Sequence, residues 1–275
     1  MAALEDYQQR FVHVVHRVIA GNWLQKKPAI RILDMGCDCS GRQLVKISQL
    51  VRGEVVGINI PEDFPSPSAL QNAGSSVKLI RMDGMNLTFP DESFDLVISA
   101  NVIEHVPDPK KFILEAGRVL KPQGICYLET APLWSSSRGH HIMESMIAEN
   151  CPLETRFKDD GSIVPDWSHL VFNRLQMEQA IGDKVSAETK QYILRYLYDS
   201  DDLNRVPWSS IEQAIKTAFP FASITPIPIA GSNTTLMPSD KKEDYSVYGF
   251  HALCRKMPKP WLQAKLCYRL RQIGW

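Results

Sequence analysis

The chain has no surplus of charge: 31 Lys and Arg stand against 31 Asp and Glu. A net charge of zero exerts no long-range pull on a polyanion, so no nucleic-acid partner is expected. Cysteine is sparse and badly spaced for joint work. Six are scattered along the chain, and no two form a C-x-x-C pair. A zinc framework is therefore not expected, and no metal ligand set is assigned. Cys126 and Cys254 lie in apolar runs and read as small core fillers. No apolar run approaches membrane-spanning length, and no basic start leads into a short apolar stretch. The expected compartment is the reduced cytoplasm. Internal repeats and low-complexity segments are also missing.

What is present is apolar residue in quantity, 44% of 275, enough for one large α/β domain with an elaboration. Tyr7, Phe11, Val14, Val15, Val18 and Ile19 recur at helical spacing before Gly21-Asn22, predicting an N-terminal helix within 1–28. Short continuous apolar runs at 29–34, 54–60, 76–81, 94–99 and 124–130 read as buried parallel strands. Helical patterns at 42–51 and 110–120 separate them. Two further strands, about 222–230 and 247–255, follow a helix at 209–218, for which Ser209-Ser210-Ile211-Glu212 suggests a capping box. Strands alternating with helices predict a doubly wound, Rossmann-like, mostly parallel seven-stranded sheet. The alternation breaks only at 131–206, a helical insertion after the fifth strand. The expected layout is a core at 29–130, the insertion at 131–206, the rest of the sheet at 207–256 and a tail at 257–275.

The ordered signals lie in the core. The first strand ends in Asp34-Met35-Gly36-Cys37-Asp38-Cys39-Ser40-Gly41, and the second in Asn59-Ile60. Arg81-Met82-Asp83-Gly84-Met85 follows the third strand. The run from Asn86 to Asp95 leads into the fourth, and Ser99-Ala100-Asn101 then Glu104-His105 follow. In this order and spacing the stretch resembles the S-adenosylmethionine-binding core of class I methyltransferases, of the methyltransferase-11 type. The resemblance implies an enzyme that transfers a methyl group from S-adenosylmethionine. It implies cofactor contacts from Asp34, Gly36, Cys37, Asp38, Gly41, Asn59, Ile60, Asp83, Gly84, Met85, Ala100, Asn101 and His105. Asp34 would take the cationic amino-acid end, Asn59 the ribose (with Glu62 as a fallback), and Asp83 with Met85 the adenine. The chain departs from the family's acid-x-Gly-x-Gly-x-Gly pattern: Asp38 stands at the second glycine and Gly41 falls one place late. Asn59 replaces the usual ribose-binding acid. An NAD dehydrogenase is excluded, because G-x-G-x-x-G is absent.

The insertion is expected to cover the sheet's carboxyl edge and hold the methyl acceptor. Its clusters Pro132-Leu133-Trp134 to Gly139-His140-His141 and Pro165 to Leu170 combine aromatic surface with imidazole. Such a mix suits a small-molecule or glycan acceptor, oxygen being favoured. His140, His141 and His169 are the candidate general bases, each also readable as a packing histidine. Trp134, Trp167 and Arg205 are candidate substrate contacts. A metal-assisted version through Glu144, Asp166 or Asp38 lacks ligand spacing. Residues 255–275 carry six Lys or Arg and no acid, which allows peripheral membrane contact or packing on the domain. A non-catalytic partner or scaffold with this fold is the alternative function.

Overall fold

A computed structural model describes residues 2–66, 76–142, 163–231, 233–240 and 242–258. Glu144, Cys151 and the tail positions Trp261, Leu262, Leu266, Cys267 and Leu270 lie outside them. Among the described residues seven strands form one sheet: β1 Ile30–Met35, β2 Gly53–Asn59, β3 Val77–Arg81, β4 Phe94–Ala100, β5 Leu120–Thr130, β6 Phe221–Pro228 and β7 Val247–Arg255. Their spatial order is β3-β2-β1-β4-β5-β7-β6. The first five are parallel, and β7 inserts antiparallel between β5 and β6. The doubly wound α/β architecture legible in the sequence is the observed one.

Among the described residues the α-helices are α1 Ala2–Ala20, α2 Arg42–Ser48, α3 Pro109–Val119, α4 Ser168–Val171, α5 Arg174–Ile181, α6 Ala187–Tyr198, α7 Trp208–Ala218 and α8 Lys242–Tyr245. On one side of the sheet Phe11, Val15, Val18 and Ile19 of α1 join Leu44 and Ile47 of α2 in a core with Ile32, Val55, Leu96 and Ile98. On the other, Phe112, Ile113, Ala116 and Val119 of α3 pack with Ile211, Ala214 and Ile215 of α7 against Leu33, Val56, Val97 and Leu128. Covering both faces explains why β1 and β4 are apolar without alternation. The α4–α6 segment has a third core of its own, built on Val164, Met177, Ile181, Ile193, Leu194 and Leu197. No helix among the described residues is long and apolar enough to cross a membrane.

One local expectation is overturned. The helix expected to begin at a Ser209 capping box begins at Trp208, after Pro207, with no side-chain cap of its own. Its free amide is met from a distance: Asp244, on α8, accepts from Ser209 N at 2.5 Å and from Ser209 Oγ at 3.1 Å. A buried carboxylate at a helix start does what the local box was expected to do.

Candidate functional site

In an open parallel sheet the strand order reverses once, and a crevice opens beyond the strand ends at that point. Here β1 has β2 on one side and β4 on the other, and a cavity of about 340 Å³ lies there. Gly36 enters it from the end of β1, Asn59 and Ile60 from β2, and Asp83, Gly84 and Met85 from beyond β3. Asn101, Val102 and His105 come from beyond β4, and Phe112 from α3 closes the floor. Eight of the thirteen sequence-expected cofactor residues thus line one cavity, while Asp34, Cys37, Asp38, Gly41 and Ala100 do not.

The glycine-poor loop after β1 is held by its own acid. The Asp38 carboxylate accepts from Ser40 N at 2.8 Å, from the Ser40 hydroxyl, and from Gln43 N at 3.3 Å. It bends the chain into α2, so its side chain is turned into the loop. Gly41 adopts the left-handed φ of 68° just before α2, which explains why the glycine arrives one place late. Gly36 also has a left-handed φ, 88°, and a Cβ there would collide with Val102. Its lack of side chain is demanded by the neighbouring loop as much as by any ligand. Cys37 is buried beside Leu44 and Gly57 in the sheet core. Asn59 donates from Nδ2 to Cys37 O at 2.8 Å and accepts at Oδ1 from Ile60 N at 2.8 Å. Its amide therefore clamps the end of β2 to the β1 loop while lining the cavity.

Two carboxylates distinguish the ends of the site. Asp34 is buried, and its Oδ2 has no hydrogen-bond partner. Burial, and secondarily the charge of Asp38, push its pKa up to about 8. A lone buried carboxyl of this kind is costly to ionise until a cation reaches it. Asp83 accepts from Met85 N at 2.8 Å through Oδ1, fixing the turn that presents Met85 to the cavity. That turn is braced from behind by Arg118, which donates to Leu87 O and Phe89 O at 2.8 Å and pairs with Asp91. Beyond β4, Glu104 is buried and accepts from the Thr130 hydroxyl. Burial raises its pKa against the opposing effects of His105 and Thr130.

The insertion brings its two aromatic-imidazole clusters together. The His140 and His169 rings meet edge-on at 5.2 Å, and His169 meets Trp134 at 4.8 Å. All three candidate bases are buried and none lines the cavity. His141 Nε2 donates to Pro132 O and His169 Nε2 to Trp134 O, both at 2.8 Å, while His140 Nδ1 accepts from Ile142 N at 3.0 Å. Burial drives the His140 pKa far down, that of His141 to about 3 and that of His169 to about 4. These are neutral packing imidazoles, with one link to the cavity: the His141 ring stands edge-on to His105 at 5.4 Å. Trp167 is also core, 1% exposed, with Nε1 donating to Tyr245 O at 3.3 Å. Trp134 is half-buried beneath the Arg205 guanidinium, 5.5 Å from its ring. Among the described residues no group of three or more His, Cys, Asp or Glu is arranged to hold a metal.

Two polar groupings escaped sequence reasoning. Tyr127 donates to Glu129 at 2.6 Å, His251 Nδ1 lies 3.2 Å from the same carboxylate, and Arg10 of α1 stands 3.5 Å from its other oxygen. The residues span positions 10 to 251, so only the β5–β7 register, which pairs Glu129 with His251, brings them together. The second is the contact of His105 Nδ1 with Asp202 O at 2.9 Å. A backbone acceptor leaves no residue signature to find.

Residues 33–128 match the methyltransferase domain family. They begin within β1 and end within β5, so the match and the cavity coincide. Over residues 33–128, and over those only, the match is to a methyltransferase domain. The chain is 33% identical over 105 residues to a sterol 24-C-methyltransferase of Gibberella zeae, covering 36% of this chain and 27% of that protein. It is 32% identical over 123 residues to the 2-methyl-6-phytyl-1,4-hydroquinone methyltransferase of a Synechocystis strain, covering 44% and 38%. Ajmaline N-methyltransferase of Rauvolfia serpentina is 37% identical over 99 residues, covering 34% and 33%. The chain thus spans about a third of the length of these relatives. The cofactor of the methyltransferase domain is S-adenosylmethionine, and the residues present fit it. An unpartnered buried carboxyl at Asp34 suits its ammonium group. The cavity floor of Met85 and Phe112 suits a purine face, with the free Asp83 oxygen beside it.

Proposed function

We propose that the chain transfers a methyl group from S-adenosylmethionine to a small-molecule acceptor, with a hydroxyl oxygen as the favoured acceptor atom. The observation that carries this reading is the cavity at the switch point. It is lined in order by the residues after β1, β2, β3 and β4, and the orphaned Asp34 carboxyl is buried at the end of β1. The named relatives, which act on a sterol, a hydroquinone and an alkaloid by their descriptions, support a small molecule over a macromolecule. Imidazole next to the cavity supports an acceptor that must lose a proton.

When bound, S-adenosylmethionine supplies an electrophilic methyl group and a good leaving group. What remains for the protein is alignment, dryness and a place for one proton. Asp34 would balance the ammonium, Asp83 and Met85 would hold the adenine, and Asn59 with Ile60 would border the ribose. Phe112 and Val102 give the cavity apolar lining. Titration calorimetry with S-adenosylmethionine and S-adenosylhomocysteine tests the site, and a metabolite screen with labelled methyl groups tests transfer. Heat from both nucleosides and a labelled product are expected. Binding of neither nucleoside would refute the reading, and binding without any transferable label would favour a scaffold.

A further inference from the structure

Resting on that reading, we propose that His105 is the proton acceptor for the methyl acceptor, fixed in the required tautomer by the Asp202 carbonyl, and that the acceptor is a phenol-like hydroxyl compound entering from the α6 side. A carbonyl oxygen can only accept. The 2.9 Å contact between His105 Nδ1 and Asp202 O therefore places the ring proton on Nδ1 and leaves Nε2 bare. His105 is exposed and lines the cavity, so its free nitrogen is the one to meet an incoming hydroxyl. None of the three insertion imidazoles has this combination: His140, His141 and His169 are buried and stand off the cavity lining.

The tautomer-fixing segment is itself well anchored. Asn204 N donates to Glu104 O at 2.9 Å, and its side chain donates to Ile103 O and Val106 O at 2.6 and 2.9 Å. The loop bearing His105 is thereby clamped to the chain after α6 on both sides of the imidazole. Asp202 also borders a second, more open depression of about 320 Å³ with Tyr192, Arg195, Tyr196, Asp199 and Ser200. The Tyr192 and Tyr196 rings stack there at 6.3 Å. Burial, then the charges of Asp202, Tyr192 and Glu104, raise the Tyr196 pKa, keeping its hydroxyl protonated as a donor and not a rival base. An aromatic wall and a protonated phenol in the depression that Asp202 borders, together with a cofactor cavity lined by His105, suit a flat hydroxylated acceptor.

The step balances simply. The acceptor O–H bond breaks and its proton goes to His105 Nε2, while Nδ1–H stays on the Asp202 carbonyl. The oxygen lone pair forms the new O–CH3 bond, and the C–S pair returns to sulfur as a neutral thioether. The imidazolium then gives its proton to water.

The deciding variant is His105→Asn, whose amide Nδ2 reproduces the Nδ1–H donor but offers no base. Paired with His105→Ala, it separates a proton-accepting role from a structural one. Nitrogen-15 NMR of the wild type, with His105 assigned from its loss in His105→Asn, should show an Nδ1–H tautomer, with and without S-adenosylhomocysteine. Calorimetry should show both variants binding S-adenosylmethionine within a few-fold of wild type. With a substituted catechol series as labelled-methyl acceptors, His105→Asn should lose about 100-fold or more in kcat with KM for the catechol little changed, and should melt close to wild type. An Nε2–H tautomer overturns the inference. So does full turnover in His105→Asn, or a wild type that binds S-adenosylmethionine yet methylates none of the catechols. Failure of the wild type to bind the nucleoside is a different result: it removes the functional reading, while the NMR result still reports on the tautomer.

Discussion

Asp34 illustrates how one buried atom links stability to ligand binding. Its pKa is raised to about 8 by burial and then by Asp38, so without a cation beside it the group stays protonated near neutrality. The unfolded chain ionises it near the ordinary carboxylate value. The stability it contributes is therefore present below that value and is lost as pH rises through about 8. Asp34→Asn removes this pH-dependent loss, and the ligand-free variant should melt above wild type at pH 8 but not at pH 4. The same carboxyl should ionise when a ligand ammonium reaches it. Binding of S-adenosylmethionine at pH 7 should then release most of one proton, seen as a buffer-dependent calorimetric enthalpy. Asp34→Asn should abolish the release and weaken binding by about 10- to 100-fold, the range for a hydrogen bond to a charged group. Equal proton release in the variant would locate the ionisation elsewhere. The identity of Asp34 and its place at a strand end were legible in the sequence. The missing partner at its Oδ2 was not, because that depends on what the neighbouring loop does with Asp38.

At the scale of elements, the parallel strands could be read because burial on both faces makes them continuously apolar, as Ile30–Met35 and Phe94–Ala100 are. The insertion was readable as helical and as rich in imidazole, but not in its orientation. His140, His141 and His169 turn inward because the backbone acceptors that satisfy two of them, Pro132 O and Trp134 O, are on the neighbouring buried turn. Spacing along the chain does not reveal that. Their lowered pKa values carry a directional consequence. Each ring is neutral in the fold but protonates near its ordinary value when unfolded, so the stability it contributes is present above that value. It is lost as pH falls toward about 4 for His169 and about 3 for His141. Rate-corrected hydrogen exchange at residues 163–171 should therefore accelerate between pH 7 and pH 5 before β1 and β4 do. Uniform exchange across the chain would contradict this. A second element-level test concerns α7. Replacing Asp244 by Ala removes the acceptor for Ser209 N and should cost about 1 kcal/mol in chemical denaturation, whereas Ser209→Ala should cost less, since the amide contact survives.

For the molecule as a whole, the cavity is where four strand ends, α3 and the loop clamped by Asn204 converge among the described residues. The sheet contributes rigid ends, and the insertion contributes a segment with its own core. Ligand binding should therefore stiffen the two parts unequally. S-adenosylhomocysteine at 100 times its Kd adds about 2.7 kcal/mol to the folded state by mass action. For a chain of this size that corresponds to a melting shift of roughly 5 to 10 °C. Hydrogen exchange should slow at residues 34–37, 58–60, 82–86 and 101–106, where backbone borders the cavity. Protection should extend to 202–206 through the Asn204 clamp. It should leave α5 unaffected, since Met177 and Ile181 of that helix pack in the third core and not on the cavity. Protection confined to the strand ends, with 202–206 unchanged, would mean that the chain after α6 does not share in cofactor binding. A melting temperature unmoved at saturating nucleoside would remove the cavity as its site.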